Sequence, residues 1–374
     1  MLKERWHLAD VRNNKITMKK VLFFINSNGV GGAERMTITL AKLLDKNQFL
    51  PVFVLVGKED RISQFIPKDF RIENIKVRNV YDFLLLKIYN CIKSEKPDVV
   101  FSSQVFLNVR LISIARLIGG IKVIVRHPSS LAFIKGINRL FMNQTYKYAH
   151  TIVAQQEEMA GELMSLPGVR AECVKVLHNP IDVDTIHEKL NNMVSPYTNI
   201  FGSKFVNVGS IYPAKGQDIL LKAFLQVHCS LPESHLFLVG RIADKDFYQN
   251  LVSYIECNNL NDYVHFVGYT DNPYQWMKYS DCFVLSSRTE GLPNALIEAS
   301  YLNVPVVSTL CIPIVKRIIE PCVNGFIVPI DGVDAMAEAM IDACKMKTVT
   351  MTYNPASSDE INTVFVAEFD GKMC

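Results

Sequence analysis

Short apolar runs recur along the chain, each followed by a longer stretch in which apolar residues return every three to four positions. Val21–Ile25, Pro51–Val56, Ile72–Val77, Val99–Phe101, Lys122–Val125 and Thr151–Ala154 concentrate β-branched and aromatic residues and read as strands. Helical stretches lie between them, as in Ala33–Leu44, where Ile38, Leu40, Ala41 and Leu44 gather on one side. The alternation restarts with strands at Lys204–Val208, Leu236–Val239, Val264–Val267, Cys282–Leu285, Val304–Val307 and Gly325–Val328. Helices there fit Gln217–Cys229, Asp246–Asn258 and Asn294–Tyr301. Such alternation predicts an α/β fold of parallel sheets with helices on both faces.

The break between the two series is the polar stretch Asp184–Asn199, which reads as a linker. The expected organisation is an N-terminal extension over residues 1–17, a first Rossmann-like domain over 18–183, the linker over 184–199, a second Rossmann-like domain over 200–345, and an atypical tail over 346–374. Lys345–Tyr353 lacks helical periodicity, and Asp359–Phe369 supplies one short helix. In doubly wound folds ligands sit beyond the carboxyl ends of the strands. Two such domains facing each other make a cleft lined by the loops that follow strands.

Composition narrows the function. The 374 residues suit two cores, and 49% hydrophobic with 21% charged residues excludes bulk disorder. A net charge of +3 gives no reason to expect a nucleic-acid partner. The nine cysteines are scattered, without a C-x-x-C pair, as in a reduced protein rather than a disulfide scaffold or zinc site. Met1–Thr17 is charged and does not read as a signal peptide, and no apolar run reaches the ~18 residues of a membrane span. Two D-x-D strings, Asp182-Val183-Asp184 and Asp244-Lys245-Asp246, read as turn or helix-start acids, so no metal site is expected.

The richest chemistry lies in Ser286–Glu298, directly after the strand ending at Leu285. Pro293 suits a helix start, Gly291 allows close approach of backbone to a ligand, and the free N–H groups of the first turn suit a phosphate. Glu290 and Glu298 flank that position, and carboxylates accept well from sugar hydroxyls. Lys215 sits in the strand-to-helix loop Gly209–Gly216. Asn28–Glu34 also follows a strand, but Glu34 occupies the last position of a would-be G-x-G-x-x-G, so the dinucleotide fingerprint fails.

The Glu290–Glu298 spacing resembles the E-x7-E region of retaining GT-B glycosyltransferases of the GT4 type. The resemblance runs from about Lys20 to Val328. It includes Gly31-Gly32-Ala33-Glu34-Arg35, Val208-Gly209 with Lys215-Gly216, Leu238-Val239-Gly240 and Asn324–Val328. It implies a GT-B fold, two doubly wound domains facing across a cleft. Glu298 would hold the ribose of a nucleotide sugar and Glu290 the donor sugar, with Gly291, Leu292 and Asn294 lining the donor. Lys215 would meet the diphosphate, and Gly31 and Gly32 would bring backbone to the cleft. His127 matches a cleft histidine that contacts donor sugar or helps the acceptor. Two departures stand out. Ser210 replaces an arginine that commonly supplies a second diphosphate cation, leaving Arg241 and Arg288 as nearby substitutes. Arg317 stands where a glutamate is common, after the unusual turn Leu310–Pro313.

The resemblance further implies front-face displacement without an enzyme nucleophile, metal or cofactor. The donor expected is a UDP-sugar in preference to a GDP-sugar. Between Asp98 and Glu157 there is no acid but seven cations: Arg110, Arg116, Lys122, Arg126, Lys135, Arg139 and Lys147. Phe133, Phe141, Tyr146 and Tyr148 interleave with the later ones, so residues 131–148 read as a basic amphipathic helix for an anionic membrane. That points to a lipid-linked saccharide acceptor, to O-antigen or capsule assembly, and to a cytoplasmic protein peripheral on the inner face of the plasma membrane. Two other readings stay open: a GT-B nucleotide-sugar epimerase, which releases product without an acceptor, and a non-enzymatic sugar-nucleotide-binding partner.

Overall fold

Val21–Ile25 is buried at every position, which a strand satisfies only when layers cover both of its faces. The computed structural model describes residues 18–29, 31–77, 83–128, 131, 134–346 and 348–367. The expected extension over 1–17 lies outside the described residues. The buried run belongs to β1 (Lys19–Asn26). It joins β2 (Phe49–Gly57), β3 (Arg71–Lys76), β4 (Val99–Ser102), β5 (Lys122–Arg126), β6 (Thr151–Ala154) and β7 (Val174–Val176) in one parallel sheet. The strand order is β3-β2-β1-β4-β5-β6-β7. Side chains alternate across β1. Leu22 and Phe24 enter the core beneath α2 (Leu84–Glu95), α3 (Val105–Ile118), α4 (Gly136–Thr145) and α5 (Glu157–Met164). Val21, Phe23 and Ile25 enter the opposite core beneath α1 (Gly32–Leu43) and the last helix, α13 (Ser358–Val366).

The second sheet repeats the plan. It contains β8 (Lys204–Val208), β9 (His235–Val239), β10 (Val264–Gly268), β11 (Cys282–Leu285), β12 (Val306–Thr309) and β13 (Gly325–Val328), in order β10-β9-β8-β11-β12-β13. Phe205 and Val284 pack towards α7 (Gln217–Ser230), α8 (Lys245–Cys257) and α12 (Val333–Ala343). Val206, Phe283 and Leu285 pack towards α6 (Val183–Leu190), α9 (Tyr274–Lys278), α10 (Asn294–Tyr301) and α11 (Val315–Ile318). In each sheet the order reverses beside the first strand, between β1 and β4 and between β8 and β11. Both crevices are therefore switch points of Rossmann-like domains, where such sheets bind ligands.

Several elements differ from the sequence expectations. The polar stretch 184–199 is not a bare linker. Helix α6 occupies 183–190, N-capped by Asp182, whose Oδ1 accepts from Thr185 N at 3.1 Å. Its inward residue Ile186 and the following Tyr197 are buried in the core of the second domain, so the polar letters mark only the solvent face. Asp244 likewise caps α8, accepting from Phe247 N at 2.9 Å; both D-x-D strings thus open helices. Strand β12 begins two residues later than the apolar run suggested, at Val306 instead of Val304, because Val304 N–H returns to Ala299 O at the end of α10. The expected helix 131–148 shortens to α4 and a 3-10 turn over Tyr146–Tyr148. Phe133 lies outside the described residues. The eight described cysteines are free thiols.

The tail crosses back to the first domain. Residues 348–357 are non-helical, and Thr352 Oγ1 donates to Ile318 O at 3.2 Å. Helix α13 then starts from a capping box in which Glu360 N donates to Ser357 Oγ and Ser357 N to Glu360 Oε2. Phe365 lies with its ring 6.0, 5.9 and 5.8 Å from those of Phe23, Phe49 and Phe101. Truncating Phe365→Ala is expected to cost about 3 kcal/mol, as for buried phenylalanines generally. Urea unfolding measures it, and a loss below ~1 kcal/mol would show that the tail does not complete this core.

Candidate active site

The Gly209–Gly216 loop leaves β8 and is held against the exit of β11. Gly216 has φ +66°, and a Cβ there would stand 2.1 Å from Ser286 O, so only glycine fits. Ser286 Oγ donates to Lys215 O at 2.8 Å, and Arg288 N donates to Ala214 O at 2.8 Å. These contacts deliver Lys215 Nζ to 2.6 Å from Glu290 Oε1, which also accepts from Ser287 Oγ at 2.6 Å. The two side chains retain only 19% and 9% of their exposure, so this ion pair is partly shielded from water.

Arg288, expected to bind substrate, does not join them in this structure. Its Nη1 and Nη2 meet the two oxygens of Asp218 at 2.9 and 2.8 Å, and its Nε meets Asp331 Oδ1 at 2.8 Å. Nη1 also donates to Pro213 O at 2.7 Å. A guanidinium engaged by two carboxylates and a carbonyl fixes the loop and has little capacity left for a diphosphate. Arg241 differs: it is exposed, and its carbonyl accepts from Ile211 N at 2.9 Å, which places it beside Ser210.

The start of α10 meets the first domain. A Cβ on Gly291 would lie 3.2 Å from Pro128 O, and one on Gly32 would lie 3.6 Å from Asn294 Nδ2. Gly32 opens α1, so the N-termini of α1 and α10 face the same place from different domains. Gly31 caps α1 and donates its N–H to Glu34 Oε2 at 3.0 Å. Gln104 Nε2 holds the other carboxylate oxygen of Glu34. The backbone N–H groups of Gly291, Leu292 and Ala295 have no acceptor among the described residues, whereas Asn294 N donates to Leu292 O at 3.0 Å. The Leu292 side chain packs on the core beneath α10.

Glu298 lies about one turn further along, apart from the Lys215–Glu290 pair. Burial raises its carboxyl to about 7; Arg35, a hydrogen bond from the Tyr274 hydroxyl and Lys189 pull the other way. Arg35 comes from α1 and reaches Tyr269 Oη of the second domain at 3.4 Å.

His127 follows β5 and is fully buried. Its Nδ1 stands 3.2 Å from Tyr146 Oη, which itself accepts from Asn108 Nδ2 at 3.1 Å. The phenol therefore donates to Nδ1, and the ring proton sits on Nε2, which has no partner among the described residues. Burial, with Arg139 and Arg126 nearby, lowers its pKa to about 4. A neutral imidazole with its proton on Nε2 offers a hydrogen-bond donor there at neutral pH.

Known families match both halves of the chain. Residues 30–185 match the family described as Glycosyltransferase Family 4, and residues 202–346 match Glycosyl transferases group 1. The chain belongs to the GT4 glycosyltransferases. An uncharacterised glycosyltransferase of Methanocaldococcus jannaschii is 32% identical over 253 residues, covering 64% of this chain and 62% of that protein. The match therefore spans less than two thirds of that relative. A Campylobacter jejuni relative is 25% identical over 344 residues, covering 86% of this chain and 89% of its own. It is named N-acetylgalactosamine-N,N'-diacetylbacillosaminyl-diphospho-undecaprenol 4-alpha-N-acetylgalactosaminyltransferase. Among solved structures, Anabaena HepE in complex with UDP and glucose superposes with a TM-score of 0.76 at 20% identity, covering 94% of this chain and all of that one. This likeness establishes the GT-B fold.

In this GT4 chain the structure brings Lys215 to Glu290 and sets Gly291 and Asn294 against Pro128 and Gly32 of the first domain, with Glu298 one turn further along α10. The sequence did not single out Tyr274 and Lys189 beside Glu298, and nothing in their local sequence marks them. Arg35 directly follows Gly31–Glu34, a position that could have drawn attention to it. The raised pKa of Glu298 has a consequence for stability. The folded state holds this proton more tightly than an unfolded chain at the ordinary value of 4.5. Its stabilising contribution is thus full below pH 4.5, declines between about 4.5 and 7, and is gone above. Glu298→Gln, which mimics the protonated acid, is expected to raise the melting midpoint relative to wild type more at pH 8 than at pH 5. Equal differences at both pH values would contradict this.

Proposed function

We propose that this GT4 enzyme moves a hexose or N-acetylhexosamine from a UDP-sugar to a lipid-linked saccharide, with retention and without a metal ion, in cell-surface polysaccharide (O-antigen or capsule) assembly. The Lys215–Glu290 pair beside the open N–H groups of α10 is the observation that carries this reading. It sets a cation, a sugar-hydroxyl acceptor and a phosphate-binding helix start together at the seam of two domains. In this reading Lys215 leaves Glu290 for the donor diphosphate, with Arg241 as the second cation in place of the missing arginine at Ser210. Glu290 then accepts from sugar hydroxyls, Glu298 from the ribose, and His127 Nε2–H donates to the sugar. The bond from the anomeric carbon to phosphate oxygen breaks while the bond to the acceptor oxygen forms on the same face. The acceptor proton passes to the leaving phosphate, so Glu290 need not act as nucleophile. Support for donor and acceptor comes from the UDP and glucose of HepE and from the diphospho-undecaprenol acceptor in the Campylobacter enzyme's name.

Incubating the purified protein with UDP-sugars and acceptor, and following the product anomer by NMR, tests the reaction. Retention is expected, with activity surviving EDTA and Glu290→Gln lowering kcat on the order of a hundredfold. An inverted product or complete loss in EDTA would overturn the mechanism.

The same reading places the first domain against the membrane's cytoplasmic face. Ile137, Leu140 and Phe141 form a stripe on α4 with 65%, 54% and 45% of their surface exposed. On neighbouring α3, the Arg110 guanidinium stacks 3.5 Å from the ring of exposed Phe106, and Arg116 lies 3.5 Å from that of Tyr148. Apolar groups among cations suit an interface with anionic lipid. No described helix is long and apolar enough to cross a bilayer. Leu140→Glu with Phe141→Glu is expected to abolish sedimentation with vesicles containing phosphatidylglycerol while sparing donor hydrolysis. Unchanged sedimentation would remove α4 from the interface.

A further inference from the structure

Arg126, the last residue of β5, is 3% exposed, and no carboxylate lies within ion-pair distance among the described residues. Its Nη2 donates to Asn179 Oδ1, in the segment where the chain crosses between domains. Asn179 Nδ2 then donates to Asn294 Oδ1 at 2.9 Å, at the first residue of α10. A buried charge whose one acceptor among the described residues is a neutral amide is costly, and burial lowers the Arg126 pKa to about 9. Replacing buried ionic groups by well-packed apolar ones is often neutral or stabilising, so stability alone does not explain an arginine here.

The chain of bonds has a direction. A guanidinium only donates, so Asn179 must turn its oxygen to Arg126 and its NH2 to Asn294. Asn294 must in turn offer its oxygen to Asn179, which leaves its own NH2 pointing elsewhere. That NH2 lies 3.6 Å from where a Cβ on Gly32 would be, between the facing N-termini of α1 and α10, and no described residue accepts from it.

We infer that Arg126 and Asn179 are positioning residues that lock the Asn294 amide with its NH2 towards the cleft, where it donates to the diphosphate of the nucleotide sugar. This rests on the glycosyl-transfer reading above. It adds a neutral donor to a site where Ser210 stands in place of a second cation.

Asn179→Asp tests the direction of the relay. The new carboxylate satisfies Arg126 but needs a donor from Asn294, whose amide must flip and present its oxygen to the diphosphate. Titration calorimetry with UDP is expected to show binding weakened by about tenfold or more, with the melting midpoint kept or raised. Arg126→Met releases the orientation and is expected to weaken UDP binding similarly without loss of stability, whereas Arg126→Lys, still donor-only, keeps most of the affinity. If Arg126→Met does not fold, Asn179→Asp decides. Wild-type affinity in folded Asn179→Asp, or weakening that merely tracks a lower melting midpoint, overturns the relay. Failure of wild type to bind UDP at all, with GDP run alongside, would instead count against the UDP-sugar reading on which the relay's target depends.

Discussion

The fastening of the Pro213–Gly216 turn to the exit of β11 governs the rest of this site. Two strands adjacent in the sheet, β8 and β11, are far apart in sequence, and their following loops are joined by Ser286, Arg288 and the glycine that fits under Ser286 O. The Arg288–Asp218 and Arg288–Asp331 pairs complete the frame. Lys215, otherwise a flexible side chain, is thereby delivered to Glu290 at low entropic cost. In this resting arrangement each charge satisfies the other. In the proposed reaction a donor diphosphate, carrying more charge than one carboxylate, would draw the lysine from Glu290 and free that carboxylate for hydroxyls.

The second domain does not complete the site alone. Pro128 of the β5 exit abuts Gly291, Gly32 of α1 abuts Asn294, and Arg35 reaches Tyr269. Two helix N-termini converge from opposite sides, and their partial positive charges add where an anion would sit. On the outer surface Arg317, at a position where the resembled family commonly has glutamate, pairs with Glu157 of α5 at 2.5 Å. That residue therefore serves contact between the domains.

The fold was legible because buried parallel strands are written as dense apolar runs, as in Val21–Ile25 of β1 and all of β11. The E-x7-E spacing was legible because it belongs to one strand exit and the helix after it. What escaped was information held in pairings. Arg288 reads as a free cation until Asp218 and Asp331 arrive from other loops. Arg126 reads as one more cation in a basic stretch, because a hydrogen-bonded polar core has no periodicity to mark it as buried. The polar face of α6 concealed a helix, since Ile186 alone marks its buried side at that length. At Val304 the apolar letter reported packing at a helix end instead of membership of a ladder.

Helix α13 bears on the order in which the protein can be made. A ribosome releases β1 early, yet the aromatic side chain that covers Phe23, Phe49 and Phe101 arrives more than three hundred residues later, at Phe365. Throughout that interval one face of the first sheet remains partly uncovered, and the nascent chain carries sticky aromatic surface while the second domain is still emerging. The first domain is therefore first to begin folding but cannot finish until α13 returns, making synthesis of the tail a natural window for chaperone engagement.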